Sequence, residues 1–133
     1  MDKTNVRAEF RIMGDELRPQ EVTEALGLEP SETWCRGDPI RDTSRHRTYA
    51  SWGLYFAPEE TLDIQPLLEK IESTFLPKTE AIRRLRSRFD IEISVDLVIV
   101  IEDAAPPGAC FEPRFLKLLS DIGARLDLDM YIN

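Results

Sequence analysis

The sequence predicts an α+β fold: a two-layer sandwich of a mainly antiparallel sheet with helices on one face, ferredoxin-like or a relative with an added strand. Three observations carry that prediction. Several segments alternate apolar and polar residues with a period of two, the mark of strands with one buried face. Between them lie segments with apolar residues three and four apart, opened by proline and stopped by glycine, which read as amphipathic helices. The second face of most strands is polar, so the helices have only one side of the sheet to cover.

The first strand runs from Val6 to Ile12, with Val6, Ala8, Phe10 and Ile12 on one face and Arg7, Glu9 and Arg11 on the other. Gly14-Asp15 ends it as a turn. Pro19 then takes a first helical position, Glu21 puts negative charge in the first turn, and Gly27 stops the helix, whose apolar side is Val22, Ala25, Leu26 and Leu28. Pro30-Ser31 opens a long central loop. Tyr49 to Phe56 is the next strand, with Ala50, Trp52, Leu54 and Phe56 together; Gly53 on its other face marks a close neighbour or a bulge. Pro58, Glu59 and Glu60 read as a turn.

From Leu62 the pattern is helical through Leu67, Leu68, Ile71 and Phe75, with Pro66 in the first turn, and Pro77 breaks it. A second helical piece follows with Ile82, Leu85 and Phe89 as its stripe. Ile91 to Glu102 is the longest strand; its polar face turns apolar at Val98 and Val100, which predicts a central strand covered on both sides at that end. Ala104 to Cys110 is a loop, Pro113 to Gly123 another helix, and the last strand alternates Leu126, Leu128, Met130 and Ile132 against Arg125, Asp127, Asp129 and Tyr131. The two ends resemble each other as strand, loop, proline-started helix and glycine stop.

At 133 residues, 42% apolar and 32% charged, the chain fits one domain, residues 1–133, with a core that needs neither metal nor disulfide. Its net charge of −8 argues against general nucleic-acid binding and against adhesion to an anionic membrane. The longest apolar run, Leu97 to Ile101, is strand-sized, and MDKTNVRAEF lacks a signal-peptide core. Cys35 and Cys110, far apart, fit the reduced thiols of a cytosolic protein, with a single disulfide left open.

The best candidate for a site is the stretch from Pro30 to Phe56, which holds both tryptophans and the only histidine. Its candidate ligand- or partner-binding residues are Trp34, Arg36, Asp38, Arg41, Arg45, His46 and Trp52, with Arg47 in the same run. Guanidinium groups recognise carboxylates and phosphates through paired hydrogen bonds, and indoles stack on planar or cationic groups. The competing structural reading is that the arginines pair with the chain's 25 acidic residues and that both tryptophans are core; Trp52 shares a face with Leu54 and Phe56 and is expected to be buried. Asp15 and Asp38 read as turn formers.

Cys35 with His46 and Asp38 carries no known cysteine-enzyme spacing, no zinc-type spacing occurs, and no cofactor is implied. The basic run Lys78 to Arg88 reads as a solvated helix face. The polar sheet face, with Arg7, Glu9, Arg11, Glu92, Ser94, Asp96, Asp127, Asp129 and Tyr131, is either a wet mixed-charge surface or a pairing surface for another subunit, a homodimer through the sheet.

Phe10 to Asp15 (FRIMGD), Leu26 to Pro30 (LGLEP), Trp34 to Asp38 (WCRGD), Ser51-Trp52 and Leu126 to Tyr131 (LDLDMY), in that order, resemble the bacterial DUF4279 family. The resemblance implies a small intracellular bacterial domain that recurs as a unit, and it carries over no catalytic residues. The leading expectation is a cytoplasmic, non-enzymatic interaction module, immunity-protein-like, whose acidity steers it to a basic protein partner. The second is a sensor of a small anionic or planar ligand at the Trp34–Arg47 loop. The third is an enzyme using Cys35, His46 and Asp38.

Overall fold

The computed structural model describes residues 3–133, which form β1 (Asn5–Gly14), α1 (Pro19–Leu26), β2 (Glu32–Trp34), β3 (Ala50–Glu60), α2 (Gln65–Phe75), α3 (Thr79–Arg88), β4 (Glu92–Ile101), α4 (Pro113–Ile122) and β5 (Ala124–Ile132). The sheet order is β2-β3-β1-β4-β5; β1 pairs antiparallel with β3 and β4, β2 antiparallel with β3, and β5 parallel with β4. The elements up to β4 therefore follow the β-α-β-β-α-β order of a ferredoxin-like sandwich, and β5 is an added edge strand reached through α4. This is the α+β, mainly antiparallel architecture that the alternation predicts.

Every second residue of β1 (Val6, Ala8, Phe10, Ile12) is at most 1% exposed and shares one core with the inner sides of all four helices. At its centre the Phe10 ring stacks on Phe75 at 3.7 Å, and Trp52 meets Phe10 edge-on at 6.4 Å. Each such ring, fully removed from water, contributes about 1.5–3 kcal/mol. Gly27 and Gly123 end α1 and α4 in the left-handed region (φ 65° and 70°), so the two similar ends of the sequence share their stop signal.

Four details differ from the sequence reading. Glu32–Trp34 is a short edge strand where a loop is expected, because three residues are too few to show a period. β3 runs on to Glu60 through the expected turn at Pro58: Ala57 and Pro58 together face Arg7, a bulge that takes a proline without breaking the ladder. β4 is an interior strand between β1 and β5, as expected, but helices cover only one of its faces. Val98 is buried (4% exposed) on the face away from the helices, where Arg7 and Asp129 border the same depression, so neighbouring side chains cover it and no helix does. On β5, Leu128, Met130 and Ile132 alternate as a core face should, yet they are exposed.

Candidate functional site

The face of the sheet turned away from the helices is built by the residues that alternate with the core positions of each strand. Trp34, Ser51 and Met13 lie in one cross-strand row, Glu32, Gly53, Arg11 and Ser94 in the next, and Tyr55, Glu9 and Asp96 in the third. Period two thus brings a cluster onto this face from residues far apart in sequence.

Arg11, half-buried on the central strand, is its hub. Its guanidinium lies 5.0 Å from the Tyr55 ring centroid and 5.9 Å from that of Trp34, within cation–π reach. Its Nη2 donates to Glu9 Oε2 at 3.0 Å, and its Nε lies 4.0 Å from Asp96 Oδ2. Burial pulls the Arg11 pKa down, but the Glu9 hydrogen bond and the nearby Tyr55, Glu9 and Glu32 outweigh it, and the net shift is upward. The Tyr55 hydroxyl donates to Glu32 Oε1 at 2.5 Å; burial first and this bond second push the phenol well above its ordinary range. Arg11 therefore stays charged and Tyr55 protonated, and neither supplies acid–base chemistry near neutrality.

Gly53 makes room for this arrangement. A Cβ there would sit 2.7 Å from Tyr55 Cε1, so the ring lies over the bare backbone and leans toward Arg11. This is the close neighbour that the glycine marks in the sequence.

The loop after β2 folds back as its own small hairpin. Gly37 N–H donates to the Arg47 carbonyl at 2.8 Å, Arg47 N–H to that of Asp38 at 2.7 Å, and Ile40 N–H to that of Arg45 at 2.9 Å. Asp38 Oδ2 accepts from the Cys35 amide at 2.8 Å, the work of a turn former. The hairpin returns Arg47 to the sheet, where its guanidinium lies 3.7 Å from the Trp34 ring centroid; Tyr49 meets the same indole edge-on at 5.9 Å. Beneath this stack, Trp34 Nε1 and the oxygen of its cross-strand neighbour Ser51, 1% exposed, are buried without a hydrogen-bond partner among the described residues.

The candidate residues separate into three places. Trp34 is on the open face. Arg36, Asp38, Arg41, Arg45 and His46 are exposed on the hairpin, where Arg36 pairs with Glu16 at 3.0 Å. Trp52 is fully buried on the helix side, its Nε1 donating to Thr23 Oγ1 at 3.1 Å, and it takes no part in a surface site. Arg11, Tyr55, Glu9, Glu32 and Ser51 are the cluster members the loop-centred reading misses. The signal for them is the strand pairing, which a single sequence does not print.

Cys35 and Cys110 are free, exposed thiols, and no hydrogen bond joins Cys35 to His46 among the described residues. The Cys110 thiol donates to Glu112 Oε1 at 3.4 Å, and that bond raises its pKa, which lowers its reactivity. No cluster of three or more His, Cys, Asp or Glu side chains suited to a metal occurs among the described residues. Of the second basic run, Arg83, Arg84, Arg86 and Arg88 are exposed on α3, the solvated helix face that the sequence predicts, and Arg88 donates to Glu21 at 2.6 Å.

An open cleft of about 740 Å³ adjoins the cluster at the end of β1 and the start of β4. Asp15, Glu16, Asp90 and Glu92 wall it, with Arg88 as its one cation, and Tyr49 connects it to Trp34. The face thus combines arginine-stacked aromatic rings with a predominantly acidic margin.

A family model described as Domain of unknown function (DUF4279) matches residues 3–133. No curated protein and no solved structure matches the chain. No helix among the described residues is long and apolar enough to cross a membrane.

Proposed function

The chain belongs to the DUF4279 family, and we propose that it is a non-enzymatic interaction module that engages a basic protein partner through the open face of its sheet. One observation carries this reading: tryptophan, tyrosine and two arginines are stacked together, half-buried, on a sheet face that no helix covers. These residue types dominate binding hot spots, because they bury large area with few rotatable bonds and keep a polar end for hydrogen bonding. Acidic groups around the cluster and a net charge of −8 steer a cationic partner toward it. An immunity-type role in a bacterial cytoplasm, capping a basic toxin, is the specific form of this reading.

The test is a pull-down from the native extract at low and high salt, with the neighbouring gene products expressed. A stoichiometric basic partner, released by salt and lost with Arg11→Ala or Tyr55→Ala, is the expected result. Retention of that partner by both variants places binding elsewhere and overturns the assignment.

The unpartnered Trp34 Nε1 and Ser51 oxygen favour a second reading, a small planar or anionic ligand seated beside the Trp34–Arg47 stack. Such a ligand changes Trp34 emission, and Trp34→Phe abolishes the response while core-bound Trp52 remains. A thermal-shift screen of anions and nucleotides with no hit ends this reading for those classes.

A further inference from the structure

We propose that two copies of this chain associate through the free edge of β5, so that one sheet runs on into the other. Among the described residues β5 is hydrogen-bonded to β4 along one side only, and its outer side offers unpaired backbone N–H and C=O groups for strand addition. Natural edge strands prevent such pairing with charges, above all lysine, with proline or with a bulge; Ala124–Ile132 contains no lysine or proline, its ladder with β4 keeps one register throughout, and its charges, Arg125, Asp127 and Asp129, all lie on the open side. On the helix side of this edge Leu128, Met130 and Ile132 are 40%, 57% and 77% exposed.

The shape of the edge fits a second copy. Leu126, in the first half of β5, packs against the core, whereas from Leu128 onward the strand is bare. Antiparallel pairing about a two-fold axis lays the bare half of each strand beside the covered half of the other. The helix supplies the cover. Arg114 of α4 reaches Glu72 of α2 on one flank, so Leu116, two positions on and about 200° round the helix, stands on the opposite flank, over the β5 edge. Leu116 is 48% exposed, and in the pair it meets Leu128 and Met130 of the second copy.

Overlap and charge together select the register. Only every second register keeps both helix layers on the same side of the joined sheet, because a one-residue slip turns each side chain over. With the axis at Asp127, Arg125 stands opposite the second copy's Asp129, twice by symmetry, and Leu126 stands opposite Leu128. Moving the axis to Leu128 sets Asp127 against Asp129 twice, which opposes pairing, and moving it to Leu126 keeps two Arg125–Asp127 pairs but shortens the paired stretch from residues 124–130 to 124–128. In the favoured register Asp127 faces the second copy's Asp127 at the axis, a single like-charge pair that the open, solvated side of the sheet screens.

Sedimentation velocity across micromolar to sub-millimolar concentrations tests the proposal. The expected wild-type species is a dimer, and Leu128→Lys sediments as a monomer with unchanged circular dichroism and a melting temperature that, unlike the wild type's, does not rise with concentration. Arg125→Asp and Asp129→Arg each weaken the dimer, and the two together restore it. In a Cys35→Ser, Cys110→Ser background, Asp127→Cys oxidises to a covalent dimer and Ile132→Cys does not. A wild-type monomer at every concentration overturns the proposal. So does a dimer that survives Leu128→Lys, or one dissolved only by Arg11→Glu on the open face.

Discussion

At the scale of single residues, the open face is built around two small residues, Gly53, which the sequence marks, and Ser51, which it does not single out. Gly53 has no Cβ because the Tyr55 ring occupies that space. Gly53→Ala displaces the ring from Arg11 and Glu32 and is expected to cost about 1 kcal/mol, as overpacking does, read as a lower urea midpoint. Ser51 is the reverse case: its buried oxygen has no partner. Ser51→Ala removes a desolvated hydroxyl without losing a bond, so its stability is expected to equal or exceed the wild type's. On the core side, Thr23→Val leaves Trp52 Nε1 buried without its acceptor and is expected to cost about 1–3 kcal/mol, checked by the same denaturation.

At the scale of elements, the helices are joined to each other by contacts at their ends. Arg88 of α3 donates to Glu21 of α1 at 2.6 Å, and that bond is the first cause of the lowered Glu21 pKa. A carboxylate whose folded pKa is depressed contributes stability that is fully present above its unfolded pKa and is lost as pH falls through the folded value. Arg88→Gln is therefore expected to lower the urea midpoint at neutral pH and to lose that difference in acid. The two glycine stops also differ. A Cβ at Gly123 would meet Arg86 Cζ at 2.8 Å, whereas at Gly27 nothing is closer than Lys78 Nζ at 4.0 Å. Both alanine variants carry the left-handed strain of about 1 kcal/mol, and Gly123→Ala is expected to be the less stable of the two in thermal melts.

At the scale of the whole molecule, one core spans both the ferredoxin-like part and the added α4-β5 unit. Unfolding is therefore expected to be a single transition, with tryptophan emission and circular dichroism coincident; two separated transitions would mean that the added unit melts alone. The proposed β5 pairing leaves both open faces on the same side of the joined sheet. A partner with two basic sites would then bind with avidity beyond that of one face. Leu128→Lys is expected to remove that gain while preserving single-site binding, a difference that titration calorimetry on the wild type and the variant resolves.

By itself the sequence determined the α+β class, the long strands and the helices with their glycine ends, because period, proline and glycine are local signals. Its expectations that Trp52 is buried and that Asp38 makes a turn agree with the structure, although both residues are among the binding candidates. Only the tertiary structure decided that Arg11, Tyr55, Trp34 and Arg47 meet, since Arg11 faces Gly53 and Glu9 faces Tyr55 through a β1–β3 register that no local pattern encodes. It alone left Leu128, Met130 and Ile132 exposed. Alternation states that one face of a strand is apolar; whether anything covers that face depends on where the neighbouring helix ends.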